Sequence, residues 1–89
     1  MGVQKIAFLT AKSGQGPELC TALQTLETLT RQEPGCVAFT FYQAISQAEQ
    51  FVLVEHFADQ AAFDQHLELP HTQAFFALGL VAHVQVRPL

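Results

Sequence analysis

The chain has 89 residues, enough for a single domain spanning 1–89, and 49% of them are hydrophobic whereas only 13% are charged. Four Lys and Arg residues against eight Asp and Glu residues give a net charge of −4, which argues against nucleic acid and membrane surfaces as partners because both attract clustered basic side chains. No apolar run approaches the roughly 18 residues of a transmembrane helix, and two cysteines are too few for a disulfide scaffold, so we expect a cytoplasmic protein.

The first half of the chain predicts a strand, a helix and a second strand. Apolar residues and β-formers favour a strand over Val3–Ala11. After a turn of Ser, Gly and Gln residues, Pro17 suits the first position of a helix. An apolar stripe continues this helix to about Glu33, and Pro34-Gly35 ends it. Cys36–Ile45 then forms a second strand with large apolar groups on both faces.

The second half begins with a polar turn over Ser46–Gln50, which is short enough for a hairpin into a strand over Phe51–Phe57. Asp59 suits the N-cap of a helix, because its side chain can accept a hydrogen bond from the first turn. Leu69-Pro70 stops this helix, and a further helical piece covers His71–Leu78.

A last strand over Leu80–Val86 completes the order β-α-β-β-α-β, with the second helix broken in two. This order predicts the ferredoxin-like α+β fold, an antiparallel sheet with its helices on one face. Strands that are apolar on both faces belong to a sheet that is covered by other structure on both sides. Because no chain remains to cover the second face of the sheet, we expect a homodimer.

His66 is the least ordinary residue of the predicted helices. With Ala62, Phe63 and Leu67 it lies within about 140° of the helix circumference, so it belongs to the apolar stripe. Turning His66 to solvent would expose Phe63 and Leu67, which costs more than burying one hydrogen-bonded imidazole. We therefore predict that His66 points inward, either as a site residue or as a buried histidine bonded to the backbone.

An apolar pocket with few polar groups is the kind of site that the sequence favours. Metal binding is not expected, because His66 and His71 are five residues apart and miss the spacing that presents two ligands on one helix face. Neither a phosphate-binding loop nor a G-x-S-x-G nucleophile occurs. The expected lining is phenylalanines, which could equally be plain core, and a few polar residues: Phe8, Phe39, Phe41, Phe57, Phe63, Phe75 and Phe76, with Tyr42, Glu55, His66 and His71. Strand alternation places Glu55 and Phe57 on one face but leaves open whether that face meets the helices.

Three short motifs follow one another along the chain: Glu33-Pro34-Gly35-Cys36, then Glu55-His56-Phe57, then HLELPH from His66 to His71. In this order and spacing they resemble the antibiotic biosynthesis monooxygenase (ABM) family over essentially the whole chain. The resemblance implies a dimeric α+β barrel, in which two subunits pair sheet to sheet. It does not specify a reaction, since the same fold serves several functions.

The chemistry that this resemblance implies is an oxygenation without a cofactor. In several ABM relatives a deprotonated phenol, quinol or polyketide itself passes an electron to dioxygen, which requires an apolar pocket and a base such as His66. A haem-degrading branch relies on Asn, Trp and His, and this chain has neither Asn nor Trp. We therefore expect a quinol-type monooxygenase acting on a small hydrophobic aromatic molecule. The alternative is a non-catalytic dimeric module that binds such a ligand.

Overall fold

A computed structural model describes residues 2–89 and has the element order that the sequence predicts. The elements are strand β1 (Val3–Ala11), helix α1 (Gly16–Thr30), strands β2 (Cys36–Gln43) and β3 (Gln50–Phe57), helices α2 (Gln60–Glu68) and α3 (Pro70–Ala77), and strand β4 (Val81–Pro88). The predicted ferredoxin-like α+β fold is confirmed. Helix α1 ends at Thr30 rather than near Glu33, which therefore lies in a turn. No helix within residues 2–89 is both long and apolar enough to cross a membrane.

The four strands form one antiparallel sheet in the order β2-β3-β1-β4. Glu55 of β3 pairs with Lys5 of β1 on one side and with Phe39 of β2 on the other. Glu55 and Phe57 are both buried beneath the helices. The structure thus decides the question that strand alternation alone left open, and it places Glu55 inside the protein.

The core lies between the helices and one face of the sheet. Helix α1 buries Leu19, Leu23 and Leu26 at spacings of three and four residues, as an amphipathic helix should. Burying such a side chain stabilises the fold by about 1.5–3 kcal/mol. This packing holds four buried polar side chains in place within it, namely Thr30, Glu55, His66 and Thr72.

The outer face of the sheet carries Phe8 of β1 beside Val52 of β3, and Val52 in turn pairs with Tyr42 of β2. Phe8 is 39% exposed, and the guanidinium of Arg87 lies 5.5 Å from the centroid of its ring. The expectation that Phe8 lines a pocket beneath the helices is wrong, because side-chain alternation turns it to the opposite face. A second copy covering this outer face remains a proposal.

Candidate functional site

The turn after α1 lies close to the start of α2, and this approach sets the position of Glu33. The backbone oxygen of Gly35 accepts a hydrogen bond from the N–H of Ala58 at 2.8 Å. A Cβ atom on Gly35 would overlap the methyl group of Ala62. Glycine is therefore required for the turn to pack this tightly, and the Glu-Pro-Gly motif places the Glu33 side chain against α2.

Helix α2 begins as predicted at Asp59, whose side chain accepts a hydrogen bond from the N–H of Ala62 at 2.8 Å. His66 is 3% exposed and points inward. Its imidazole lies between two aromatic rings, with centroid distances of 4.9 Å to Phe57 and 5.4 Å to Phe39. The apolar stripe therefore carries His66 into the space between helix and sheet.

Glu33 forms hydrogen bonds with both His66 and His71. Its Oε2 atom accepts hydrogen bonds from Nδ1 of His66 at 2.9 Å and from Nε2 of His71 at 2.6 Å. Pro70 ends α2 and begins α3, so residues 66 and 71 do not follow the angle of a single helix. His66 and His71 do miss the spacing of a single helix face, but their rings converge on Glu33 because they belong to two helices.

The bond to Glu33 determines which nitrogen of His66 is available for chemistry. A carboxylate only accepts hydrogen bonds, so Nδ1 of His66 carries the proton, and in the neutral ring the lone pair is on Nε2. Within residues 2–89 no hydrogen bond is made to this Nε2, and the ring lines a cavity. A carboxylate that orients an imidazole in a cavity wall and leaves its other nitrogen free of hydrogen bonds is the arrangement of a general base.

The cavity lies between α2, α3 and the sheet, and its volume is about 80 Å³. Its inner part is lined by Phe39, Leu53 and Phe75, whereas Leu67, Phe76, Val84 and Val86 form a half-exposed apolar mouth. Typical ligand sites measure about 300–1,000 Å³. The enclosed part thus fits dioxygen together with the polar end of a larger molecule, the remainder of which would lie on the mouth.

Glu55 is the second titratable group on the cavity wall, and it is only 6% exposed. Its carboxyl group forms no hydrogen bond or ion pair within residues 2–89; the Lys5 ammonium instead lies 5.5 Å from the centroid of the Phe63 ring. Burial raises the pKa of Glu55 to about 7, with Lys5 opposing this shift and Glu33 adding to it. Such a carboxyl group can accept or donate a proton near neutral pH.

The structure divides the predicted lining residues into two groups. Six of them line the cavity together, namely Phe39, Glu55, Phe63, His66, Phe75 and Phe76. Phe57 packs against the His66 ring outside the lining, and Phe41 packs against Phe51 at a centroid distance of 6.4 Å. Phe8 lies on the other face of the sheet. His71 lies beyond Glu33 and borders a separate groove.

Sequence reasoning missed Glu33 as a site residue, although it stands in the Glu-Pro-Gly-Cys motif. It also missed the contribution of β4 to the mouth through Val84 and Val86. Cys36, in the same motif, is not a nucleophile candidate, because burial and then the charge of Glu33 raise the pKa of its thiol.

Glu33, His66 and His71 each offer one metal-ligand atom, and these atoms lie within 4.8 Å of one another. Two histidines and a carboxylate form a donor set known for transition metals. Histidine ligands are, however, usually oriented by a bond from their second ring nitrogen. Within residues 2–89 neither Nε2 of His66 nor Nδ1 of His71 has such a partner, and both histidines already bond to the same oxygen of Glu33. We therefore retain the expectation of a metal-free site as a prediction.

Comparison with known proteins identifies the family. The profile of the family described as antibiotic biosynthesis monooxygenase matches residues 3–78. The chain belongs to the ABM family. The three motifs on which the resemblance depends lie within the matched residues, and two of them, at Glu33 and at His66 to His71, form the hydrogen-bonded cluster beside the cavity.

Two sequence relatives and two solved structures illustrate the similarity. "Putative monooxygenase YcnE" of Bacillus subtilis is 29% identical over 73 residues, covering 82% of this chain and 77% of its own length. An uncharacterized protein of Synechocystis, sll1783, is 28% identical over 67 residues, covering 75% of this chain but only 46% of its own length. The structure of PA3566 from Pseudomonas aeruginosa superposes with a TM-score of 0.93 at 27% identity, covering 99% of this chain and 91% of its own. The structure of Rv0793 from Mycobacterium tuberculosis superposes with a TM-score of 0.89 at 27% identity, covering 100% of this chain and 93% of its own.

Proposed function

We propose that this ABM protein is a cofactor-independent monooxygenase that oxidises a small aromatic quinol or phenol with dioxygen. The observation that carries the proposal is the apolar cavity whose titratable groups are His66, oriented by Glu33, and the unpartnered carboxyl group of Glu55. The family description and the name of the Bacillus relative support the same class of reaction.

In the proposed reaction Nε2 of His66 accepts the phenolic proton at the inner end of the cavity. The phenolate passes one electron to dioxygen, and the resulting phenoxyl radical and superoxide combine to a peroxide that takes up this proton. His66 then accepts the C–H proton of the oxygenated carbon while Glu55 donates a proton to the departing hydroxide. The O–O bond breaks, and transfer of a proton from His66 to Glu55 restores the site. One molecule of phenol and one of dioxygen thus give one quinone and one water, and the substrate supplies all the electrons.

The size of the cavity supports a particular placement of the substrate. The enclosed volume of about 80 Å³ admits the reacting hydroxyl group and dioxygen. The aromatic body lies on the mouth, against Leu67, Phe76 and Val84. The apolar walls exclude water, which would otherwise protonate the superoxide and separate the radical pair.

Oxygen uptake with 1,4-naphthohydroquinone tests the proposal, with catalase and superoxide dismutase present to limit autoxidation. We expect uptake above the protein-free rate, and labelled dioxygen should leave one labelled atom in a hydroxynaphthoquinone product. His66→Ala should lower the enzymatic rate at least about a hundredfold, the lower range for loss of a general base. The matched control is His83→Ala, which removes an exposed imidazole outside the cavity lining.

Two results would overturn the proposal: wild-type uptake no faster than the protein-free rate, or equal rates in the wild type and in His66→Ala. Uptake without label in the product would indicate an oxidase rather than a monooxygenase. If the protein binds the naphthoquinone at the cavity mouth but does not turn over, the alternative of a non-catalytic binding module is the correct one.

A further inference from the structure

A second concave surface lies between α1 and α3 and is called here the α1–α3 groove. Its volume is about 600 Å³, within the range of about 300–1,000 Å³ for small-molecule sites. Residues of α1 from Glu18 to Leu29 form one wall, and residues of α3 from His71 to Phe75, with its C-cap Leu78, form the other. It is separate from the catalytic cavity proposed above, although Leu26 and Phe75 border both.

The two helices that form the groove run antiparallel, so the end of one lies beside the start of the other. His71, at the start of α3, bonds to Glu33 just beyond the end of α1. Leu80, just after α3, accepts a hydrogen bond at its oxygen from the N–H of Lys12, which precedes α1. From Glu18 to Leu29 the helix rises about 16 Å, at about 1.5 Å per residue. A groove of this length suits an extended chain better than a fused ring system.

The walls of the groove offer few hydrogen bonds to a ligand. The hydroxyl group of Thr21 donates to the backbone oxygen of Pro17 at 3.2 Å, and that of Thr25 donates to the backbone oxygen of Thr21 at 3.4 Å. The other side chains that line the groove between its two ends are apolar. Glu18 and His71 are the ionisable groups, and they lie at opposite ends. A ligand that matches this lining is apolar along its length and polar at one end only.

His71 determines which polar end is recognised. Its Nε2–H donates to Glu33, so the neutral ring has an acceptor lone pair on Nδ1, and within residues 2–89 no group donates to it. An anionic head group is disfavoured, because Glu33 stands behind the ring and Glu18 at the far end. The complementary head group is therefore a neutral donor.

We propose that the α1–α3 groove is a second ligand site, which takes a neutral, unbranched aliphatic molecule with a hydroxyl group at one end. The chain lies along α1 between Leu29 and Leu78, and the hydroxyl group donates to Nδ1 of His71. The inference stands on the groove alone and does not depend on the reaction proposed for the cavity.

Titration of the full chain with n-decanol and n-octanol, followed by NMR, tests the site. We expect saturable shifts of the Ala74 and Leu78 amides and of the His71 ring nitrogens. Each buried methylene group should tighten binding about fourfold, so decanol should bind about fifteenfold more tightly than octanol. Decanoate, with the same chain but an anionic head, should bind more weakly than decanol.

A pair of variants at two exposed positions of α3 locates the ligand. Ala74→Trp fills the groove and should abolish decanol binding, whereas Ala77→Trp adds the same bulk outside the lining and should leave it unchanged. Circular dichroism verifies that both variants fold. Should Ala74→Trp unfold the protein, Ala74→Leu against Ala77→Leu is the substitute pair, with weakened rather than abolished binding expected.

Several results would overturn the proposal. These are equal affinities for octanol and decanol, equal loss of binding in both variants, and ligand shifts centred on Leu67 and Val84 at the cavity mouth. A fall in the sedimentation mass caused by Ala74→Trp but not by Ala77→Trp would show instead that the groove is an interface between copies of the chain.

Discussion

Replacement of Glu55 by Gln tests the electrostatics of the cavity while keeping its shape. Burial raises the pKa of this carboxyl group from its ordinary value of 4.5 to about 7 in the folded protein. Below pH 4.5 the group is neutral in both the folded and the unfolded state, and its burial carries no ionisation penalty. As the pH rises from 4.5 to 7, the unfolded chain releases the proton while the folded protein retains it, so the free energy of unfolding falls. The shift corresponds to about 3 kcal/mol, all of which is lost above pH 7.

Urea unfolding at pH 4.5, 6 and 7.5, followed by circular dichroism, measures this effect. Histidines and other carboxylates titrate in both proteins, so the informative quantity is the wild-type stability minus that of Glu55→Gln. We expect this difference to fall by about 3 kcal/mol between pH 4.5 and 7.5. The control Glu68→Gln, at an exposed position of α2, should give a curve parallel to the wild type. If the free energies of unfolding of the wild type and of Glu55→Gln change in parallel with pH, then Glu55 is not a buried carboxyl group without a partner.

Three further predictions follow from the site and the sheet. Gly35→Ala should lower the free energy of unfolding by about 1–3 kcal/mol and move the His66 ring resonances, because the new methyl group meets Ala62; unchanged urea midpoints and spectra would contradict this. Sedimentation equilibrium at micromolar concentration should give about twice the chain mass of 9.8 kDa, since the outer face of the sheet carries Phe8 and Val52, and a clean monomer would refute the dimer. Calorimetric titration with equimolar zinc should show no saturable site, whereas stoichiometric binding that His71→Gln removes would establish a metal centre.

Local patterns were sufficient to predict much of the architecture. Asp59 was predicted to cap α2 because its side chain can reach the N–H groups of the first turn, and it does so at Ala62. The inward direction of His66 followed from Phe63 and its neighbours, because side chains three and four residues apart share one face of a helix. The order of the elements then restricted the fold to a sheet with helices on one face. Each of these properties depends on neighbours in the chain, which the sequence displays directly.

The assembly of the site depended on contacts between residues that are far apart in the chain. Glu33 meets His66 and His71 because Gly35 permits close approach to α2 and Pro70 redirects the chain. The spacing of residues along the chain does not reveal these contacts, because a hydrogen bond across more than thirty residues depends on how whole elements pack. The choice of sheet face was decided in the same way. The amino-acid sequence alone determined that β1 and β3 have two distinct faces, but only packing against the helices put Glu55 inside and Phe8 outside, because both faces of these strands are apolar enough to be buried.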